Sequence, residues 1–166
     1  VRRGRLLKWV GTFRTTAAKK KRLRHARMSD AERRAAAWQV NLAWAEATLR
    51  TFDIDVTVTI DPAFAEVARE LDLRPGAGRK VVFFPTHQSL LDHPVMYHVL
   101  QSPELLQAMG WSATVPCCLL SRARLMQATA IRVGGREISL IGLSPAEIDR
   151  VQEEVDGYVI LGQDDT

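Results

Sequence analysis

The hydrophobic positions along the chain change period several times, and each change predicts a new element. In the opening 28 residues Leu6, Trp9, Val10 and Phe13 fall at helical spacing, with Arg5, Lys8 and Arg14 mostly off that stripe. Ser29-Asp30-Ala31-Glu32 is a capping box, in which a hydroxyl and a carboxylate each satisfy an orphan backbone N–H, so a second helix is expected to start there. Trp38, Leu42, Ala45, Leu49 and Phe52 then recur at alternating steps of four and three, one apolar face of a long helix ending near Phe52. Val56, Val58 and Ile60 alternate with Thr57 and Thr59, the pattern of a half-buried strand. Asp61-Pro62 opens another helix through Leu71. The turn at 74–78 leads into Lys80-Val81-Val82-Phe83-Phe84, a β-branched apolar run that predicts a buried strand.

A loop, Pro85-Thr86-His87-Gln88, separates that strand from a helix expected over Ser89 to about Gln101. Ala113 to Cys118 reads as a further buried strand, and Thr129–Val133 and Arg136–Ile141 as two strands joined by Gly134-Gly135. Ser144-Pro145-Ala146-Glu147 caps a helix with Ile148, Val151 and Val155 inward, and Tyr158–Leu161 is a last strand. Strands and helices alternate, so the predicted class is α/β, a mixed sheet flanked by helices and preceded by a basic amphipathic helix.

Composition narrows the class. At 166 residues with 46% hydrophobic and 25% charged, the chain has a globular balance that excludes collagen, coiled coil and wholesale disorder. The net charge of +4 conceals an asymmetry. Residues 1–28 hold 11 of the 23 Lys and Arg and no acid, so residues 29–166, with the other 12 and all 19 Asp and Glu, carry −7. The charge alone suits a solvated basic tail or a nucleic-acid arm equally, but Trp and Phe on the apolar stripe favour an anionic bilayer surface. No base-reading motif, zinc finger or aromatic RNA platform points to nucleic acid. The sequence therefore predicts a membrane-docking segment over 1–28 and a body over 29–166. The opening residues lack the apolar core of a secretory leader. The charge-free run Leu105–Ser121 is interrupted by Gly110 and Pro116, a poor spanning helix. The expected location is peripheral, on the cytoplasmic side of a membrane. Adjacent Cys117 and Cys118 read as small core residues rather than a disulfide framework.

Three of the four histidines cluster, His87, His93 and His98, with Asp92 among them. The spacing His87-x4-Asp92 puts a histidine just beyond a predicted strand and a carboxylate in the first turn of the next helix. There the carboxylate can fold back, accept a hydrogen bond from one imidazole N–H, and leave the other nitrogen to take a proton from a substrate hydroxyl. The same acid at the third helical position also suits capping and the helix dipole without any catalytic role.

The string Val-Val-Phe-Phe-Pro-Thr86-His87-Gln88-Ser89-Leu-Leu-Asp92 resembles the first signature of the glycerolipid acyltransferase family, the lysophosphatidic acid and glycerol-3-phosphate acyltransferases. That signature is a hydrophobic strand, Asn-His-Gln-Ser, two residues and Asp; Thr86 stands in place of Asn. With the capped helix and Val-x-Val-x-Ile strand upstream, the resemblance covers about residues 29–141. It implies a glycerol-3-phosphate acyltransferase-like fold and acyl transfer from acyl-CoA or acyl carrier protein to a glycerol-3-phosphate or lysophospholipid hydroxyl. His87 would be the base, Asp92 its orienter, and Gln88 and Ser89 substrate-binding positions; neither metal nor cofactor is implied. Ala128-Thr129-Ala130-Ile131-Arg132 echoes the second signature without its Gly, which makes Arg132 a phosphate-binding candidate. The third signature, Pro-Glu-Gly-Thr-Arg after an apolar strand, is replaced after Leu161 by Gly-Gln-Asp-Asp-Thr, so the body is expected to lack its C-terminal part.

Two alternatives stand beside this reading. One is a catalytically impaired, acyltransferase-like membrane-binding module. The other is a metal-dependent hydrolase using His87, Asp92, His93 and His98, disfavoured because His93 and His98 are five residues apart rather than the four that bring ligands onto one helical face.

Overall fold

The structure is a computed structural model that describes residues 3–83, 89, 91–113, 115–117, 120–122, 130–133, 136–139, 147, 150–156 and 159–161. The chain divides into two compact units, Val1–Trp44 with Pro116–Thr166, and Ala45–Val115.

In the first unit, α1 (Arg3–His25) is the basic segment, and α2 (Asp30–Phe52) begins at the expected capping box. The Ser29 N–H donates to Glu32 Oε2 at 2.8 Å and the Glu32 N–H donates to Ser29 Oγ at 3.3 Å. Hydrogen bonds from Ser29 hold the Glu32 carboxyl below its ordinary value. Ala17, Ala37, Val151 and Val155 form a buried cluster, with Phe13 and Leu23 packed against it. Phe13 also meets Trp9 and Trp44 edge-on, with ring centroids 5.4 and 5.3 Å apart. Val151 and Val155 accompany a π-helical turn, Gln152–Asp156. β1 (Leu120–Arg122) pairs in parallel with β4 (Val159–Leu161). β2 (Ala130–Val133) pairs antiparallel with β3 (Arg136–Ser139).

The second unit opens with the last turns of α2. Asp53 adopts φ 52°, the Ile54 N–H donates to the Leu49 carbonyl at 3.0 Å, and the helix thus ends in a Schellman motif with Asp in the left-handed position usually held by glycine. Next, α3 (Pro62–Glu70) is capped by Asp61, whose Oδ1 accepts from the Ala63 N–H at 2.8 Å. α4 (Asp92–Leu100) turns Pro94, Tyr97 and Leu100 inward. α5 (Pro103–Met109), which the sequence pattern does not suggest, has Ser102 as its N-cap and left-handed Gly110 at its end. It packs against α3. There the Trp111 indole N–H donates to the Leu73 carbonyl at 2.7 Å. Burial of Leu105 and Met109 contributes roughly 1.5–3 kcal/mol each.

The expected α/β class is overturned. The described residues are dominantly helical, and the strands that form are two isolated pairs of three or four residues, not a mixed sheet flanked by helices. Val56–Ile60 forms no strand, though its threonines are exposed and Val56, Val58 and Ile60 half-buried, as alternation dictates. Among the described residues, however, the Asp55–Ile60 backbone has no hydrogen-bond partner. Alternation fixes which side chains share a face; a sheet also needs a neighbouring strand to pair with. Lys80–Phe83 likewise forms no strand, and Val82 is 61% exposed. Residues 113 and 115–117 are not strand either. The predicted helix start at Ser89 moves to Asp92, behind a bend. Phe84, the loop 85–88, Cys118, Gly134-Gly135, Ile148 and Tyr158 lie outside the described residues.

Candidate functional site

Asp92 is the first residue of α4. Its carboxylate turns back toward the residues that precede the helix: Oδ2 accepts from the Ser89 N–H at 2.7 Å. Ser89 completes the turn, its Oγ accepting from the Leu91 N–H at 2.9 Å and its carbonyl from the Asp92 N–H at 3.1 Å. The bend has a local cause. Pro94 lacks a backbone N–H and occupies the first helical turn, where none is needed, while Ser and Asp side chains prefer to satisfy their own neighbours' amides. The arrangement gives the acid a fixed orientation at the start of a helix. A carboxylate held this way can orient an imidazole and stabilise the imidazolium that forms.

The other sequence candidates fall as follows. His87 and Gln88 lie outside the described residues. Ser89 and Asp92 are brought together in the second unit. Arg132 lies on β2, opposite Glu137 in the hairpin register, and belongs to the first unit. His98 sits near the far end of α4, six residues and about 9 Å along the axis from Asp92. Among the described residues no group of three or more His, Cys, Asp and Glu could hold a metal ion.

Two features escape the sequence reading. In the second unit, a cleft of about 420 Å³ is lined by Val56, Thr57, Val58, His98, Gln101, Ser102, Pro103 and Glu104. In the first unit, Asp156 is buried and its carboxylate joins Lys20 and Asn41. Lys20 Nζ donates to Oδ2 at 2.6 Å and Asn41 Nδ2 to Oδ1 at 3.2 Å. A small cavity of about 80 Å³ adjoins this cluster, between Trp38, Asn41, Cys117 and Asp156. Around it, Lys21 pairs with Glu147, and the Arg24 guanidinium is bidentate on Glu154. That pairing lowers the Glu154 carboxyl from its ordinary value and raises Arg24. The available signal is the opposite charge of the two ends: Lys20, Lys21 and Arg24 answer Glu147, Glu154 and Asp156.

Among the described residues no helix is long and apolar enough to cross a membrane. No protein-family model matches the chain, and neither a curated protein nor a solved structure matches it.

Proposed function

We propose that the chain is an acyltransferase of glycerophospholipid synthesis, acting at the cytoplasmic surface of an anionic membrane. His87 takes the proton of a glycerophosphate hydroxyl, and Asp92 orients its ring. The hydroxyl oxygen attacks the thioester carbonyl of acyl-CoA or an acyl carrier protein. An ester C–O bond forms, the C–S bond breaks, and the departing thiolate receives the proton from His87. No covalent enzyme intermediate is needed. The observation that supports this reading is the Asp92 carboxylate folded back over the start of α4, toward the residues that precede the helix, where it accepts from the Ser89 N–H. Gln88 and Ser89 are the candidates for substrate binding.

A second reading, an acyltransferase-like membrane-binding module without activity, is favoured by one observation. The described part of the strand expected before His87, Lys80–Phe83, forms no strand among the described residues.

One experiment separates them. Purified protein is given radiolabelled acyl-CoA or acyl carrier protein with glycerol-3-phosphate or lysophosphatidate in detergent, beside the H87A and D92N variants. The enzyme reading expects turnover lost in H87A and reduced about 10²- to 10⁴-fold in D92N, with unchanged circular dichroism. No turnover by the wild-type chain with any donor and acceptor pair refutes it and leaves the inactive module. Stoichiometric zinc in active protein would instead favour the hydrolase alternative.

A further inference from the structure

The aromatic stripe of α1 is the face that the sequence points toward lipid, yet its Trp9 and Phe13 are half-buried against the protein. Phe13 packs on Trp44 and on the Ala17 cluster, and Lys20 and Arg24, further along the helix, meet Asp156 and Glu154. The other face is different. At about 100° per residue, Leu7, Lys8, Arg14, Lys19 and Arg22 lie on an arc of about 140° nearly opposite Phe13, Ala17, Lys20 and Arg24. Leu7 is 73% exposed and the four cations are exposed. None of the four meets a carboxylate among the described residues. Gly4 and Gly11 share this face with open space above them, so the backbone can come close to a flat partner.

We propose that this outward face of α1 is a docking surface for anionic lipid headgroups and binds chiefly by charge. The inference rests on the peripheral-membrane part of the reading above and assigns it to a face the aromatic stripe does not include. Charge complementarity selects an anionic partner, because Asp156, Glu147 and Glu154 already pair with Lys20, Lys21 and Arg24 rather than with the outward cations. The exposed Leu7 selects lipid over nucleic acid: beside cations spread along about 21 Å of helix, a leucine can enter the headgroup layer, whereas a phosphodiester backbone offers it nothing.

The test is sedimentation of the full chain with vesicles of phosphatidylcholine alone or with about one-third phosphatidylglycerol. Compared are wild type, K8Q/R14Q/K19Q/R22Q and L7S, each first shown to melt like wild type. With about 1 kcal/mol per cation, the quadruple variant is expected to lose about 10³-fold in partitioning to anionic vesicles, and L7S about tenfold. Wild-type binding should vanish on neutral vesicles and weaken steeply with salt. If wild type binds and the quadruple variant binds equally, the outward face is refuted and another surface of the chain holds the membrane. If wild type binds no anionic vesicle, the face and the peripheral-membrane reading both fall. If it binds duplex DNA or RNA instead and L7S has no effect, the ligand is nucleic acid and the proposal is overturned. Acyl transfer in detergent is expected to be the same in all three proteins, which keeps this test apart from that of the dyad.

Discussion

Replacing Lys20 with Met probes the buried charge that joins α1 to the π-helical turn. The Asp156 side chain is 1% exposed and that of Lys20 13%, with Nζ and Oδ2 2.6 Å apart. Met keeps most of the lysine's aliphatic volume and removes the ammonium, so among the described residues Asp156 is left with one neutral donor, Asn41 Nδ2 at 3.2 Å. Removing one member of a buried pair costs about 3–5 kcal/mol, because the remaining charge has lost its solvation without compensation. The surviving Asn41 bond and the residual exposure of Lys20 place this case at the lower end, about 3 kcal/mol. For a chain of this length that corresponds to roughly 6–12 °C in Tm. Differential scanning calorimetry at neutral pH, with a urea titration to obtain the free energy, measures it. A second variant isolates the cause. In K20M/D156N the uncompensated charge is gone and the introduced side-chain amide can still accept from Asn41 through its carbonyl, so at least half of the loss should return. A K20M loss below about 1 kcal/mol, or a double variant less stable than K20M, would show that the pair does not hold this unit together.

Gly110 ends α5 at φ 67°, and a Cβ there would lie 3.4 Å from Arg74 Cγ, so Gly110→Ala should cost about 1–2 kcal/mol, read as a lower urea midpoint with an unchanged slope. Glu32, Asp72 and Glu154 are all held below their ordinary carboxylate values by hydrogen bonds, from Ser29, Arg74 and Arg24 respectively. Their stabilisation is therefore fully present above the ordinary values and is lost as pH falls through the lowered ones. Tm should be flat above about pH 5 and decline below about pH 4, less steeply in E32Q/E154Q; a decline of equal slope in that variant would refute the assignment.

The helices are legible because their signals are local. Ser29 and Glu32, Asp61 and Pro62, and the Trp38–Leu49 stripe each specify an element within a few residues of sequence, and each forms. Ser102-Pro103-Glu104 carries the same grammar, masked by the apolar run that follows it. The sheet is not legible for the opposite reason. Val56–Ile60 and Lys80–Phe83 have strand composition, but pairing depends on a partner elsewhere in the chain, which composition does not reveal. At the candidate site, the reach of Asp92 back to Ser89 is readable from three-residue spacing. The placing of Arg132 in the other unit is not, since unit boundaries depend on long-range contacts. The aromatic positions of α1 do share a covered face, but protein covers it rather than lipid: amphipathicity says that a face is covered, not by what.

The segment Val56–Ile60 has a consequence for handling the protein as well. Its five uncharged residues of high β-propensity are a segment onto which a like segment can add when the chain unfolds. Asp55 and Asp61 bracket it, and stacking copies in register would bring these acids together. The two aspartates thus serve as gatekeepers whose repulsion, strongest in dilute salt and above the carboxylate range, opposes fibril-like self-association at high protein concentration.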